Sequence, residues 1–480
     1  MPCQSAIRAA VATITRTITV AAGVFAPGHL GELTRHVPFE LVDALLDETD
    51  TTQRRIRGLP SRVGVYFVLA LGLFPRLGYR KVWTKLVTAV ADGSLPDPSA
   101  KALRDLRRRI GPAPLKALFE TLSGPVAQPH TPGVRYGRYR TVAFDGCTSI
   151  KVADSDRNRS WLGKLKAALG VTGYPAVELM TLVETGTRAL LGAVFGAPAT
   201  GETDYARRLL PLLGPDMLVL TDRGFDANDF LEDIAATGAQ FLARLRNNRR
   251  LPVVARLDNG DHLTRLGKQT VRIITADITV TCADATCYTA TYRLATTLLD
   301  HRRDPARHLI ALYHERWEHE LAYLALRHTL LTGRVLRSTT PTGVQQEMWA
   351  LLALYQALRH AMVTAVESQP GTDPDRAGFT TALETAKDLL IKAENIIDNP
   401  TDPIGEIGRA ILADLLPPRR PRVSTRKVKS PLSRYNKKDP HRPERSTAII
   451  ALTITTRDID SPTSPATRRN RGCLTALPAP

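Results

Sequence analysis

A chain of 480 residues is long enough for two or three domains, and with 43% hydrophobic residues it can bury a sizeable core, which excludes disorder of the whole. Lys and Arg number 65 against 47 Asp and Glu, a net charge of +18 that favours a polyanionic partner, most simply nucleic acid. The five cysteines (Cys3, Cys147, Cys282, Cys287, Cys473) are scattered, which suits a reducing compartment, and the Cys282/Cys287 pair lacks the second pair that a zinc site would need.

In chain order, Arg16 interrupts the apolar residues leading into 17–27, and no signal-peptide cleavage pattern clearly follows. The apolar run 63–74 is closed by Pro75 and Arg76 and is too short for a bilayer, so a cytoplasmic, nucleoid-associated protein is expected. Helical spacing recurs at Phe39, Leu41, Val42, Leu45 and Leu46, then over 63–73 and 103–118, giving a helical N-terminal domain over 1–124 that would bind DNA. The Pro, Gly and His of 124–137 mark a linker, placed at 125–138.

Beyond the linker the pattern changes to short apolar runs separated by turn residues. Strands are expected over 141–144, 177–183 and 189–195, with Thr187-Arg188 turning between the last two. A helix follows, with Thr200 as N-cap, Glu202 in its first turn, and Leu209, Leu210 and Leu213 as its stripe. A fourth strand at 217–220, a helix capped by Asp226 and a fifth strand at 240–245 complete the series. Three meandering strands followed by helix, strand, helix and strand is the ribonuclease H-like order, an α/β catalytic domain over 139–365. Val271, Ile273, Ile274, Ile278 and Val280 suggest a β-rich insertion at about 247–300. Long helices are expected from Pro305 past Leu330 and from Thr342 to about Val366. Residues 366–480 read as a helical and basic region with a partly disordered tail. From Pro417 onward, 15 Lys or Arg face 4 Asp or Glu, and the run 419–438, with Tyr435 inside it, is either a DNA-contacting strip or a solubilising tail.

Two aspartates stand at the ends of apolar runs, Asp145 after 141–144 and Asp222 after 217–220. Ligands in open α/β sheets gather at the carboxyl ends of strands, and a pair of Asp supplies the hard oxygens that Mg²⁺ prefers. Either Asp alone also reads as a turn residue or a cap. Asp154, Asp156, Asp204 and Asp226 compete, but capping explains their positions. On one long helix, Tyr313, Arg316, Glu320 and Arg327 would fall within roughly 60° of one another at about 100° per residue, with Trp317 and Leu324 beside them. Glu315 and Glu318 would face solvent. A carboxylate on such a mixed face serves either a metal or an ion pair with Arg316.

The string Tyr313-x2-Arg316-x3-Glu320-x6-Arg327 resembles the Y-(2)-R-(3)-E-(6)-K motif of the insertion-sequence-four family of bacterial DDE transposases. Phe144-Asp145-Gly146 and Thr221-Asp222-Arg223-Gly224-Phe225 resemble the blocks that carry the family's two aspartates. Thr200-Gly201-Glu202-Thr203 and Tyr292-Arg293-Leu294 resemble further family segments. The resemblance covers roughly residues 25–450, and its departure is Arg327 where the family has Lys, which keeps the charge but brings a bulkier, planar group. It implies cut-and-paste transposition of an insertion sequence, by metal-dependent phosphodiester hydrolysis and strand transfer at terminal inverted repeats. Asp145, Asp222 and Glu320 would be both catalytic and metal-binding, with two Mg²⁺ or Mn²⁺ ions. Tyr313, Arg316, Arg327 and Arg223 would contact DNA phosphates, and Trp317 would either stack on a displaced base or pack in the core. The partners implied are double-stranded DNA, as terminal repeats and target, and a second copy of the chain in a paired-end complex. Two other readings remain: a non-catalytic DNA-binding protein derived from a transposase, and a structure-selective ribonuclease H-like nuclease.

Overall fold

The computed structural model describes residues 28–55, 58–89, 96–164, 166–167, 170–171, 173–282, 287–313, 316, 318–396, 401–418 and 449–456. The chain divides into two compact units. One comprises Met1–Arg135, Ala143–Leu212 and Glu318–Pro418, the other Tyr136–Val142, Leu213–Trp317 and Arg419–Pro480. The architecture is mixed α/β, with helices and an extensive sheet. Strands of five or more residues are numbered here β1 to β9. Among the described residues no helix is long and apolar enough to cross a membrane.

The first unit is mostly helical. Ser61–Leu73 is apolar on nearly every side and is buried accordingly. Pro341–Glu367 starts at the N-cap Thr340, whose side chain accepts from Gly343 N, and packs on Ala113–Leu122, Ser61–Leu73 and Gly405–Ala413. The buried Glu32 carboxylate closes the start of Gly405–Ala413 by accepting from Glu406 N (2.7 Å) and Ile407 N (3.0 Å). That contact satisfies two of the N–H groups a helix start leaves unpaired. Strands β1 (Tyr139–Lys151), β2 (Ala176–Glu184) and β3 (Leu190–Gly196) lie in the order β3-β2-β1, with β2 and β3 antiparallel. The β2–β3 turn places Gly186 at φ 81° and Arg188 at φ 60°. A Cβ on Gly186 would also stand 2.8 Å from the Gly133 carbonyl carbon, so two constraints keep that position a glycine.

The second unit opens with the first residues of β1, where Arg140 N donates to Asp216 O at 2.7 Å. Its remaining strands are β4 (Met217–Thr221), β5 (Gln240–Arg244), β6 (His262–Leu266), β7 (Gln269–Cys282), β8 (Cys287–Thr296) and β9 (Ile449–Thr456). They run in the order β4-β5-β8-β7-β6, with β9 also paired to β7. β4 and β5 are parallel, bridged by the helix Asn228–Ala236, whereas β5, β8, β7 and β6 pair antiparallel. Arg272, fully buried on β7, is held by an ion pair to Asp261 (2.6 Å) and by Asp304 O (2.7 Å).

Several expectations are corrected. The helix read over 103–118 is two, Ala100–Ile110 and Ala113–Leu122, because Gly111 turns at φ 62° and Pro112 has no N–H to continue the ladder. Thr200 lies in a 3₁₀ turn begun by Pro198, leaving Gly201 at the helix start. Asp226 is not a cap. Ala227 holds that place, while the Asp226 carboxylate pairs with Arg249 and accepts from Arg246 N (2.8 Å).

The largest correction concerns 305–330, which is not one α-helix. Ala306–Tyr313 ends in the second unit, Arg316 sits in a 3₁₀ turn, and Glu318–Leu324 begins in the first unit. Tyr313 and Arg316 are buried within the second unit, and Ala322 and Tyr323 within the first. Ala325–Leu330 then widens into a π-helix in which Leu331 N reaches back to Leu326 O (3.0 Å). Spacing at 100° per residue therefore does not place Arg327 relative to Tyr313.

Candidate active site

Strand β1 buries Thr141, Val142, Ala143 and Phe144 and, in the first unit, continues through Asp145 rather than stopping before it. Asp145 is half-buried, and its Oδ1 accepts from Gly146 N at 3.0 Å. Its carbonyl accepts from the Tyr323 hydroxyl at 2.6 Å, and that hydroxyl also lies 3.0 Å from Thr181 Oγ1. Tyr323 belongs to Glu318–Leu324, so its hydroxyl ties the helical turn carrying Glu320 to the strand carrying Asp145. Glu320 itself is exposed, one turn from the exposed Leu324.

Two further carboxylates join this group. Glu178 sits on β2, a strand buried along its whole length, and Glu202 starts the helix Glu202–Arg207. Burial first, then the charges of Glu202 and Asp145, push the Glu178 carboxyl up to about 7. The buried Cys147 thiol is raised by burial, and Arg327 is among the charges that act on it, which sets that guanidinium near the Asp145 strand.

The second unit holds the other predicted residues. β4 is buried from Met217 to Thr221 and delivers Asp222 to its end, half-buried. The Asp222 carboxylate accepts from Gly224 N at 2.7 Å, capping the 3₁₀ turn Arg223–Phe225. Tyr313 is pushed up to about 12, by burial first, then opposed by Arg316 and Arg244 and reinforced by Asp222 and Tyr292. Arg244 lies over the Tyr292 ring at 3.6 Å from its centroid, and Tyr292 meets Tyr313 edge-on at 6.3 Å. Burial lowers Arg244, with Arg223 and Arg316 adding like charge. Asp222 therefore acts on the same buried Tyr313 that Arg316, Arg244 and Tyr292 act on.

The predicted residues thus fall in both units: Asp145, Glu320 and Arg327 in the first, Asp222, Arg223, Tyr313 and Arg316 in the second. Trp317 and the basic run 419–438 lie outside the described residues. Sequence reasoning missed Glu178 and Arg244. A lone Glu inside an apolar run and an Arg ending a strand were the available signals. Among the described residues no three Asp, Glu, His or Cys side chains stand close enough to hold a metal ion as they are. The donor chemistry still fits one, because Asp145 and Glu178 offer hard oxygens and one buried Glu178 oxygen has no hydrogen-bond partner.

Two family models match the chain: "Insertion element 4 transposase N-terminal" over residues 27–120 and "Transposase DDE domain" over 136–356. A curated relative, the transposase InsG for insertion sequence element IS4 of Escherichia coli (strain K12), is 25% identical over 431 residues, which is 85% of this chain and 93% of that protein. A solved structure of the piggyBac transposase synaptic complex with hairpin DNA overlaps at a TM-score of 0.41 and 11% identity, covering 86% of this chain and 90% of that one.

Proposed function

The chain belongs to the insertion-sequence-four family of DDE transposases, and from that premise we propose that Asp145, Asp222 and Glu320 are its catalytic carboxylates, in a ribonuclease H-like core that performs cut-and-paste transposition at terminal inverted repeats. The order β1-β2-β3, helix, β4, helix, β5 along the chain supports that core, as does the parallel β4–β5 pair with its bridging helix.

The observation that carries the reading is the setting of Asp222. A strand-end carboxylate followed directly by Arg223, and acting on the same Tyr313 as Arg244 and Arg316, puts a ligand for a cation in one neighbourhood with ligands for a phosphate. Hydrolysis and joining of a phosphodiester need both. The three carboxylates would hold Mg²⁺ or Mn²⁺, taken as two ions, with Asp145 serving both. When bound, such ions supply Lewis-acid activation of the attacking oxygen and stabilise the leaving one. Arg316 and Arg223 would fix the phosphate at the scissile bond, and Arg327 would do so from the π-helical turn. Buried Tyr313 keeps its proton at neutral pH and would donate it to a phosphate oxygen. Trp317 would stack on a displaced base or pack in the core. The N-terminal helical region to residue 124 and the insertion at 247–300 would bind the repeats, with two copies of the chain pairing the ends.

Cleavage of cognate end DNA by the full chain in Mg²⁺ or Mn²⁺ tests this. Asp145→Asn, Asp222→Asn and Glu320→Gln should each lose at least ~100-fold in rate, about 2.7 kcal/mol of barrier, while still binding the ends. Target joining should be lost with cleavage, and the paired-end complex should have the mass of two copies. Unimpaired cleavage by Asp145→Asn would sink the assignment.

A further inference from the structure

We infer that Glu178 and Glu202 belong, with Asp145, to the cation-binding surface of this transposase, as carboxylate ligands or electrostatic partners beyond the three of the family motif. The inference rests on the reading that Asp145 binds a divalent cation.

Glu178 is the first observation. It lies on β2, where every residue is buried, and only 3% of its own surface is exposed. Its Oε1 is buried without a hydrogen-bond partner. A carboxylate in that state costs several kcal/mol unless a cation or a proton compensates it. The charged groups acting on it are Glu202 and Asp145, both acidic, so they supply no compensation.

Gly146, next to Asp145, gives the direction. A Cβ placed there would stand 2.9 Å from Glu178 Oε1 and 2.9 Å from Glu202 Oε1. The two carboxylates therefore aim at one space beside the Asp145 strand, from β2 and from the helix Glu202–Arg207. Gly146 has no positive φ, so its backbone does not demand glycine. What the missing side chain provides is the cleared volume between acidic oxygens. Among the described residues these carboxylates do not already form a three-ligand group.

The test is Mn²⁺ binding by the full chain without DNA, measured by titration calorimetry on wild type, Glu178→Gln, Glu202→Gln and Asp145→Asn. Glu178→Gln and Glu202→Gln should each weaken Mn²⁺ about tenfold, ~1.4 kcal/mol. Asp145→Asn should weaken it at least as much. Should both glutamate variants bind like wild type while Asp145→Asn does not, this inference falls and the catalytic reading stands. Wild-type affinity in Asp145→Asn, or no Mn²⁺ bound by wild type, removes the premise and the inference together. A loss in only one glutamate variant strikes the other residue from the set. If Glu178→Gln does not fold, Glu202→Gln decides alone, since its side chain is exposed.

Discussion

Replacing Tyr323 by Phe removes one oxygen from the junction between the Asp145 strand and the Glu320 helix. That hydroxyl has a single proton, and the shorter contact is to the Asp145 carbonyl at 2.6 Å, so Thr181 Oγ1 is left to donate to the tyrosine oxygen at 3.0 Å. The substitution deletes both bonds and the longer 3.3 Å contact to Leu179 O, inside a site where Tyr323 is 6% exposed. A buried neutral hydrogen bond contributes about 0.5–1.5 kcal/mol, and a buried partner left unpaired costs more, so the loss should be about 2 kcal/mol. In a thermal melt that is a few degrees of Tm. The larger effect should be on chemistry. With the tie gone, the turn that carries Glu320 loses its hold on the Asp145 strand, and misplacement of a catalytic carboxylate by about 1 Å would cost ~100-fold in rate. Single-turnover cleavage of end DNA, run well below the melting temperature, should slow at least tenfold with DNA affinity unchanged. A Tyr323→Phe chain that melts a few degrees lower yet cleaves at the wild-type rate would refute the positioning role. One that also melts like wild type would refute the hydrogen-bond reasoning itself.

Arg244→Ala should weaken binding of end DNA and lower the log–log salt slope by about 1, as expected for one lost phosphate contact, with little change in fold because the Tyr292 ring remains packed on Tyr313. An unchanged slope would return Arg244 to a purely packing role. Asp261→Ala strips the partner from fully buried Arg272 and should cost about 3–5 kcal/mol, read as early urea unfolding of the second unit. The raised Glu178 carboxyl gives a pH signature in chelator-treated protein. The folded state holds a proton that the unfolded state has released, so stability should fall as pH rises from about 4.5 to about 7, by about 1–2 kcal/mol after screening, and level off above. Glu178→Gln should flatten that slope, and a slope unchanged by the substitution would show that another group sets it.

The strands were legible where apolar runs ended in turn residues, as at 217–220, and where alternation and Gly marked reversals. Asp145 was harder. The run Asp-Gly-Cys-Thr-Ser reads as the end of a strand, yet β1 carries on through it, with Cys147 and Ile150 turned into the core. The family motif pointed to Tyr313, Arg316, Glu320 and Arg327 together, but periodicity assumed an unbroken helix. Burial of Tyr313 and Arg316 in one unit and of Tyr323 in the other is a tertiary fact that no spacing reveals. Glu178 was invisible for the same kind of reason. A Glu in the apolar run 176–183 carries no message until β2 is known to lie beside the strand of Asp145.

Glu32 has a consequence for how the protein is made. Its carboxylate is met by the N–H groups of Glu406 and Ile407, 374 and 375 positions later in the chain. At ~5–20 residues per second of synthesis, a nascent chain waits on the order of tens of seconds before those groups exist. Until then the N-terminal helices carry an acid meant for an interior not yet translated. The first unit therefore closes only after most of the second has emerged, which makes the interval between them the window in which a chaperone or a protease would choose this protein's fate.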